Sequence, residues 1–356
     1  MSKKLKIIIG SIVVCLALMI GAAVYIYNDG QKAVSSKDEE VVVEISGTNA
    51  MVLNQLDEAG LIKNKMVANI YLKLNSYSFK ANTYILNKNM DLDTMFSIIE
   101  SGDFDHLLKT KFTIIEGTNI PTVAEEIAKT LEITSDEVLQ KWCDSEYLSS
   151  LIEKYWFLDE SILNDGLMFP LEGYFAAETY FVSEKEPTIE SLTTLMLDQM
   201  DTNLTEYKDE IENFTINGEK VSMHDFLTFT SIVQSESLFE EDHKKIAGVF
   251  MHRLEVGMKL QSDVTVNYAN QVTKVAVTYN DLQVESKYNT YMYEGLPVGP
   301  IANVSKELIE SCLHYEKTDN LFFFAIQGGE VIYTKTYEEH LAEIERYKEE
   351  GLWLQD

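Results

Sequence analysis

Cysteine is scarce in this chain of 356 residues, which contains only three. Cys143 and Cys312 are the two that lie outside a long apolar run near the N-terminus, and they are far apart in sequence. So few cysteines cannot form the disulfide framework that stabilises many small secreted domains. We therefore expect two buried free thiols, and two or three domains with ordinary hydrophobic cores, for which a hydrophobic content of 46% is sufficient.

Positive charge is also scarce, because 29 Lys and Arg residues stand against 58 Asp and Glu residues and leave a formal net charge of −29. A surface this acidic repels the phosphate backbone of nucleic acids and the headgroups of anionic lipids. An uncharged or zwitterionic polymer, such as a glycan, is compatible with it. The composition therefore excludes nucleic acid as a main partner.

Several signatures of common enzyme classes are absent from the sequence. The six histidines show no His-Glu-x-x-His motif and no other paired metal-binding spacing, so we expect neither a zinc hydrolase nor a bound metal. Neither a Gly-x-Ser-x-Gly nucleophile turn nor a phosphate-binding Walker loop is present. No cofactor is predicted.

Residues 7–27 form an apolar run without a charge, long enough to cross a bilayer as one helix. Three lysines precede it within residues 1–6 and no basic cluster follows closely, so the positive-inside rule places residues 1–6 in the cytoplasm and the rest of the chain outside. A cleaved signal peptide is the alternative, because Gly21-Ala-Ala23 resembles a cleavage site. The run is longer than a typical signal core, so we predict an uncleaved, single-pass anchor in the cell membrane.

An internal repeat follows a polar tether at residues 28–40. Gly-Thr-Asn occurs at 47–49 and again at 117–119, each time between a short strand pattern and an amphipathic helical pattern. This alternation predicts a small α+β module at residues 41–165. The module could bind glycan or act as a spacer, because the turn motif is short and no row of exposed aromatic residues is evident.

The most informative segment is a predicted helix that ends at a carboxyl group. Phe229, Ile232 and Val233 precede Glu236 by seven, four and three residues, so the four side chains share one helical face. Desolvation on an apolar face raises the pKa of a carboxyl group and keeps its proton available near neutral pH. Glu236 is therefore a candidate catalytic acid. The alternative is a half-exposed glutamate at the edge of an amphipathic helix.

Seven further residues are candidates for binding a sugar: Glu172, Gln261, Asp263, Thr265, Tyr288, Asn289 and Tyr291. Their polar groups can hydrogen-bond sugar hydroxyls, and their aromatic faces suit glycan rings. Glu172 could also assist Glu236. Alternatives stay open, because Glu172 could form a loop salt bridge, Asp263 could cap a helix, and Tyr288 to Tyr291 could be a packing motif.

Five blocks, in their order and approximate spacing, resemble the endolytic murein transglycosylases of the MltG (YceG-like) family. They are Leu171–Tyr180, Ser231–Glu236, His252–Thr265, Tyr288–Tyr291 and Gly295–Asn303. The resemblance covers most of the chain beyond the membrane segment. It implies an α+β protein in which the membrane helix is followed by a LysM-like module at 41–165 and a catalytic domain at 166–356.

The resemblance also implies a reaction. Ordinary glycosidases use two carboxyl groups, whereas this family needs one. Glu236 would act first as acid and then as base, while the C6 hydroxyl of muramic acid closes a 1,6-anhydro ring. The expected activity is cleavage of the MurNAc-β-1,4-GlcNAc bond within peptidoglycan strands, which would terminate growing strands. The implied partners are glycan strands and cell-wall synthesis enzymes.

Two residues depart from the family pattern. Gln234 stands where members often have an acid, and Ala177 stands where they usually have proline. On a helix, Gln234 is rotated about 200° from Glu236, so the two side chains do not share a face. These departures motivate an alternative hypothesis, a membrane-anchored peptidoglycan-binding protein with weakened or no catalysis.

Overall fold

The fold is mixed α+β, as predicted, and mostly helical. Its strands pair into small two-stranded sheets. The computed structural model describes residues 3–108, 110–182, 187–237, 239–274 and 277–354. The chain divides into two compact units. The first contains Met1–Lys111 and Phe181–Lys185, and the second contains Phe112–Tyr180 and Glu186–Asp356.

The first unit is a two-stranded sheet covered by short helices. Its elements in chain order are α1 (Lys3–Gly30), β1 (Glu40–Ile45), α2 (Asn49–Glu58), α3 (Lys65–Leu74), β2 (Asn82–Asn87) and α4 (Leu92–Ser101). Strands β1 and β2 are antiparallel, with Glu40 opposite Asn87 and Ile45 opposite Asn82. Apolar residues from the sheet and from α2, α3 and α4 form one buried core.

Helix α1 includes the apolar run that the sequence assigns to a membrane anchor. The side chains of residues 1–13, which include the predicted cytoplasmic tail and the start of the predicted span, lie outside the described part of the structure. Among the residues that are described, no helix has both the length and the apolar character needed to cross a membrane. The anchor at residues 7–27 stays a prediction.

The second unit is built mainly from helices. The remaining elements in chain order, of which β3 and β4 each belong partly to the first unit, are β3 (Thr110–Thr113), α5 (Ile120–Leu131), α6 (Ser135–Trp142), α7 (Ser145–Lys154), β4 (Thr179–Val182), α8 (Ile189–Thr205), α9 (Lys208–Glu212), β5 (Thr215–Ile216), β6 (Glu219–Lys220), α10 (Met223–Glu236), α11 (Glu240–Glu255), α12 (Asp263–Asn270), α13 (Lys306–Leu313), β7 (Phe322–Ala325), β8 (Val331–Thr334) and α14 (Tyr337–Glu349). Strands β7 and β8 form a hairpin across residues 327–330, with Ala325 opposite Val331.

Both copies of the predicted repeat form a strand, a tight turn and a helix. Gly47 and Gly117 adopt φ values of 81° and 72°, which glycine reaches without strain. The side chain of Thr48 caps α2, whereas that of Asn119 caps α5, so the second helix begins one residue later in its copy. Helix α2 belongs to the first unit and α5 to the second. The functional division at residues 165 and 166 stays a prediction.

Helix α10 carries Glu236 and runs through the core of the second unit. The side chain of Ser222 caps it by accepting from the Asp225 N–H at 3.0 Å, which is the usual role of a serine three residues before an acidic residue at a helix start. Residues 226–233 are all buried, so the helix is enclosed by α11, α12 and α13 rather than apolar on one face only. The buried hydroxyls of Thr228, Thr230 and Ser231 donate to carbonyls of the same helix, which satisfies them.

The cysteines are free thiols. Cys312 is buried, as predicted, but Cys143 is exposed, so the expectation of a buried thiol is wrong there. Cys143 occupies the C-terminal cap of α6, where the helix ends and the side chain reaches solvent.

Gly248 of α11 tests how tightly this helix packs. A Cβ at residue 248 would lie 1.9 Å from the carbonyl oxygen of Glu316, and backbone atoms cannot move aside as a flexible side chain can. Gly248→Ala should therefore lower the free energy of unfolding by about 1–3 kcal/mol in urea denaturation. Gly21→Ala is the control, because its new Cβ would meet no atom within 4 Å. Equal losses in both variants would contradict this account of the packing.

Candidate active site

A cleft of about 580 Å³ opens in the second unit beside the C-terminal end of α10. Its lining combines charged, amide and aromatic groups: Glu236, Phe250, Arg253, Gln261, Asp263, Val264, Asn267, Lys274, Tyr291, Phe322, Phe323, Tyr337 and His340. Among the described residues, no group of three His, Cys, Asp or Glu side chains is placed to hold a metal ion.

Glu236 is the last residue of α10, and its partly buried carboxyl group lines the cleft. Loss of hydration raises its pKa above the ordinary value for glutamate. The hydroxyl of Ser262 opposes this by donating to Oε1 at 2.5 Å, the charge of Asp263 adds to the increase, and Arg253 again opposes it. The net effect is a raised pKa, so the proton is retained to a higher pH than on a free glutamate.

Ser262 is held in place by buried hydroxyl groups. Its N–H donates to Thr290 Oγ1 at 3.0 Å, and its carbonyl accepts from Thr265 Oγ1 at 2.7 Å. The two threonine hydroxyls are 2.9 Å apart. The preceding residue, Gln261, has a φ of 46°, which is uncommon for a residue with a side chain and turns the chain sharply into this network. Thr265 therefore supports the partner of Glu236 from the interior and does not line the cleft.

Asp263 and Tyr291 form a second polar pair in the cleft. The Tyr291 hydroxyl donates to Asp263 Oδ1 at 2.5 Å. Burial, followed by the hydrogen bond and charge of Asp263, raises the pKa of Tyr291, which keeps the phenol protonated as a donor. Asp263 is the first residue of α12, and Ser262 occupies the cap position, so the alternative role of Asp263 as a helix cap is not observed.

Arg253 places a buried positive charge beside Glu236. Its Nε donates to the carbonyl of Leu321 at 2.6 Å, and its Nη1 donates to the carbonyl of Leu260. Burial lowers the pKa of the guanidinium, while the charge of Glu236 opposes that change. Because an arginine stays charged in proteins, it favours the ionised form of Glu236 without forming a direct hydrogen bond to it.

Tyr288 and Asn289 do not line the cleft, although the sequence suggested them as sugar ligands. Asn289 is fully buried and donates from Nδ2 to two backbone carbonyls at 3.0 and 2.9 Å, while its Oδ1 accepts from the N–H of Tyr291 at 3.0 Å. The ring of Tyr288 packs against Tyr268, with centroids 4.8 Å apart. Burial leaves neither side chain a surface for a sugar, and both instead shape the loop that presents Tyr291.

Glu172 is also buried away from the cleft lining. Both carboxyl oxygens lie 3.1 Å from the N–H of Ile120, at the start of α5, and Oε2 accepts from the Tyr268 hydroxyl at 2.9 Å. Burial raises its pKa to about 8, against the opposing effect of these hydrogen bonds. Its partners are an amide and a phenol, so among the described residues the suggested loop salt bridge is not observed. Glu172 connects α5 to α12.

Gln234, which departs from the family pattern, does not line the cleft. The Oε1 atom of Gln234 accepts from the N–H of Ser305, the cap residue of α13, at 3.2 Å. The prediction that residues 234 and 236 occupy different faces of α10 is confirmed. An amide at residue 234 therefore gives no reason to expect that Glu236 has lost its function.

Sequence reasoning missed one whole side of the cleft, which β7 and α14 provide. Phe322, Phe323, Tyr337 and His340 line it, and the ring centroids of His340 and Phe322 lie 5.2 Å apart. Burial, and then the charge of Arg253, lower the pKa of His340, which favours a neutral imidazole. The sequence signal that could have identified this side of the cleft is the run of three phenylalanines in β7. A two-stranded hairpin leaves one face of each strand uncovered, so some of these aromatic rings are available to line a cleft.

The comparisons with known proteins agree with the sequence resemblance. The YceG-like family matches residues 41–346, and the chain belongs to this family. An endolytic murein transglycosylase of Bacillus subtilis (strain 168) is 35% identical over 336 residues, which cover 93% of this chain and 91% of that protein.

Two further similarities support the assignment. An endolytic murein transglycosylase of Streptococcus pneumoniae serotype 2 is 33% identical over 303 residues, and the match covers 80% of this chain but 54% of that longer protein. A 2.6 Å crystal structure of a putative YceG-like protein from Listeria monocytogenes superposes with a TM-score of 0.62. It is 34% identical in sequence, and the match covers 86% of this chain and all of that one.

Removing the Ser262 hydroxyl tests the electrostatics of the site. In Ser262→Ala the ionised form of Glu236 loses its donor, so the pKa of Glu236 should rise further. The titration can be followed by ¹³C NMR of labelled glutamate, with the Glu236 signal assigned from the Glu236→Gln variant. Ser262→Thr retains a hydroxyl and should restore the original titration. An unchanged midpoint in the alanine variant would show that this hydrogen bond does not control the carboxyl group.

Proposed function

We propose that the protein is an endolytic lytic transglycosylase, which cleaves the MurNAc-β-1,4-GlcNAc bond within peptidoglycan strands and leaves 1,6-anhydroMurNAc ends. The observation that carries this proposal is the partly buried Glu236, whose raised pKa and hydrogen bond to Ser262 equip it to exchange a proton within a polar cleft. The similar proteins of B. subtilis and S. pneumoniae bear the name of this activity.

In the first step, protonated Glu236 donates to the glycosidic oxygen, and the bond to C1 of the muramic acid breaks with oxocarbenium-like character. Because Oε1 of Glu236 accepts the hydrogen bond from the Ser262 hydroxyl, the proton is carried by Oε2 and donated from that atom. The negative charge of Asp263 in the same cleft stabilises the positive charge that develops on the sugar. The leaving oxygen departs as a hydroxyl on the GlcNAc residue.

In the second step, Glu236 is an anion and acts as a base. It removes the proton of the C6 hydroxyl, whose oxygen forms the new bond to C1 and closes the 1,6-anhydro ring without consuming water. Ser262 and Arg253 both favour the ionised carboxylate, whereas loss of hydration favours the acid. These opposed effects allow one carboxyl group to serve in both steps.

The cleft also supplies groups for holding the strand. Gln261, Asp263 and Tyr291 provide amide, carboxylate and hydroxyl groups, and the ring of Tyr337 is 58% exposed on the opposite side. Aromatic faces and hydrogen-bonding groups in one groove are suited to sugar rings. Growing strands, and the wall-synthesis enzymes that extend them, are the proposed partners.

The sequence supports a membrane location for this activity. We assign residues 7–27 to a single span, with residues 1–6 in the cytoplasm and the cleft outside, on the basis of the uncharged apolar run and the preceding lysines. This arrangement would hold the enzyme near newly made glycan strands.

Glu236→Gln should abolish the formation of anhydro ends, because an amide cannot donate or accept the required proton. Purified peptidoglycan digested with each protein is analysed by mass spectrometry, and Ser235→Ala, one residue away, is the control that should stay active. Activity of the unchanged protein should also fall as pH rises through the raised pKa of Glu236. Reducing ends instead of anhydro ends would indicate hydrolysis, with Asp263 as a second carboxylate, and would refute the proposal.

The Glu236→Gln substitution should also affect the thermal stability of the folded chain. The pKa of Glu236 is raised in the folded chain, so stability is lost as pH rises from the ordinary glutamate value through the raised one. The neutral amide avoids this loss, and Glu236→Gln should melt at the same or a higher temperature near neutral pH. A markedly less stable variant that still cleaves strands would identify Glu236 as a structural residue.

The proposed anchor is tested by extraction. Membranes that contain the full chain should retain it in alkaline carbonate, whereas a chain that starts at residue 28 should be released, because only the former has the apolar run. Release of both chains would refute an integral anchor.

A further inference from the structure

One stretch of the first unit differs in charge from the rest of this acidic protein. Residues 59–90 contain five lysines and neither Asp nor Glu, although the whole chain has a formal net charge of −29. The stretch includes α3 and β2. Lys63, Lys65 and Lys88 form ion pairs with Asp29, Asp57 and Glu39, whereas Lys73 and Lys80 form no ion pair with any described residue.

Helix α3, within this stretch, is apolar on its outer side as well as its inner side. Val67 and Leu72 are buried in the core. Met66, Ile70 and Leu74 lie one helical turn apart along the outer side and are 75%, 44% and 69% exposed. An exposed line of large apolar side chains on a soluble surface marks a contact with another apolar phase or protein.

The neighbouring helix extends this surface. Met51 of α2 is 49% exposed, and a cavity of about 390 Å³ lies where α2 and α3 meet, with Leu53 and Met66 in its lining. Lys65 and Lys73 lie at the two ends of α3, and Lys65 also contacts Asp57 at 2.8 Å. The result is an apolar strip bordered by ammonium groups, as in helices that lie in a membrane interface.

Helix α3 begins close to the end of α1. A Cβ at Gly30, the last residue of α1, would lie 2.7 Å from Val67 Cγ2, and Lys63 pairs with Asp29 at 2.9 Å. The part of α1 before this contact exposes apolar side chains such as Leu18. Where α1 leaves a bilayer, α3 is therefore the part of the first unit that lies beside the exit point.

We propose that the outer side of α3 rests on the outer surface of the membrane, with Met66, Ile70 and Leu74 among the headgroups and with Lys65 and Lys73 facing anionic lipids. This inference rests on the proposed anchor. A bilayer is favoured over an anionic wall polymer because a polymer would use the lysines but not the apolar strip, whereas an anionic bilayer uses both. Contact at this one surface fixes which side of the first unit faces the lipid.

The test places a fluorescent label at residue 70 of the full chain. Ile70→Cys is made in a background where Cys15 and Cys143 are replaced by serine, and the chain is inserted into vesicles of phosphatidylcholine and phosphatidylglycerol that carry nitroxide-labelled lipids. Leu341→Cys is the matched control, since Leu341 is 44% exposed, as Ile70 is, but lies on α14 of the second unit. The label at residue 70 should be quenched several-fold more than the label at residue 341.

Further variants separate the possible outcomes. Quenching at residue 70 should decrease several-fold in phosphatidylcholine alone, or when Lys65 and Lys73 are replaced by glutamine. Native Cys15, labelled by itself, reports on the anchor. Quenching at Cys15 with no excess at residue 70 would overturn the docking of α3 alone, and no quenching at either position would overturn the anchor as well. Protection of residue 70 from acrylamide by soluble polyphosphate, without vesicles, would assign the surface to an anionic polymer and overturn the inference.

Discussion

The contact between Ser262 and Glu236 is the interaction on which the site depends. Helix α10 is enclosed along most of its length and ends by placing a carboxyl group where water is partly excluded. A carboxylate in such a place is costly unless a donor satisfies it. That donor is held by hydroxyls of Thr265 and Thr290, so α10, α12 and the following loop must all fold before the site exists.

One negative and one positive side chain then shift the pKa of Glu236 in opposite directions. Asp263 favours its protonated form and Arg253 its ionised form, and each is fixed by other partners: Asp263 by Tyr291, and Arg253 by backbone carbonyls. The arrangement resembles the tuning by which many enzymes bring a carboxyl pKa toward their working pH. Each of these charged groups therefore has two roles, because it shifts the proton affinity of Glu236 and also holds a neighbouring segment of the cleft in place.

Average composition and local surface give different information about this protein. The net charge excludes a general affinity for anionic polymers or lipids, and that conclusion holds for most of the surface. The outer side of α3 is the exception, because Lys65 and Lys73 lie at the two ends of its exposed apolar strip.

Local patterns in the sequence determined the elements, since capping, turn glycines and helical periodicity depend on residues a few positions apart. The cap at Ser222, the hairpin across residues 327–330 and the carboxyl group at the end of α10 were predictable in this way. Only the tertiary structure decided which residues cover each face of a helix or strand. It buried Glu172 and Asn289, exposed Cys143, placed the buried Ser262 hydroxyl on Glu236 and brought His340 to the cleft. Periodicity identifies an apolar face but not its partner, because that partner comes from distant parts of the chain.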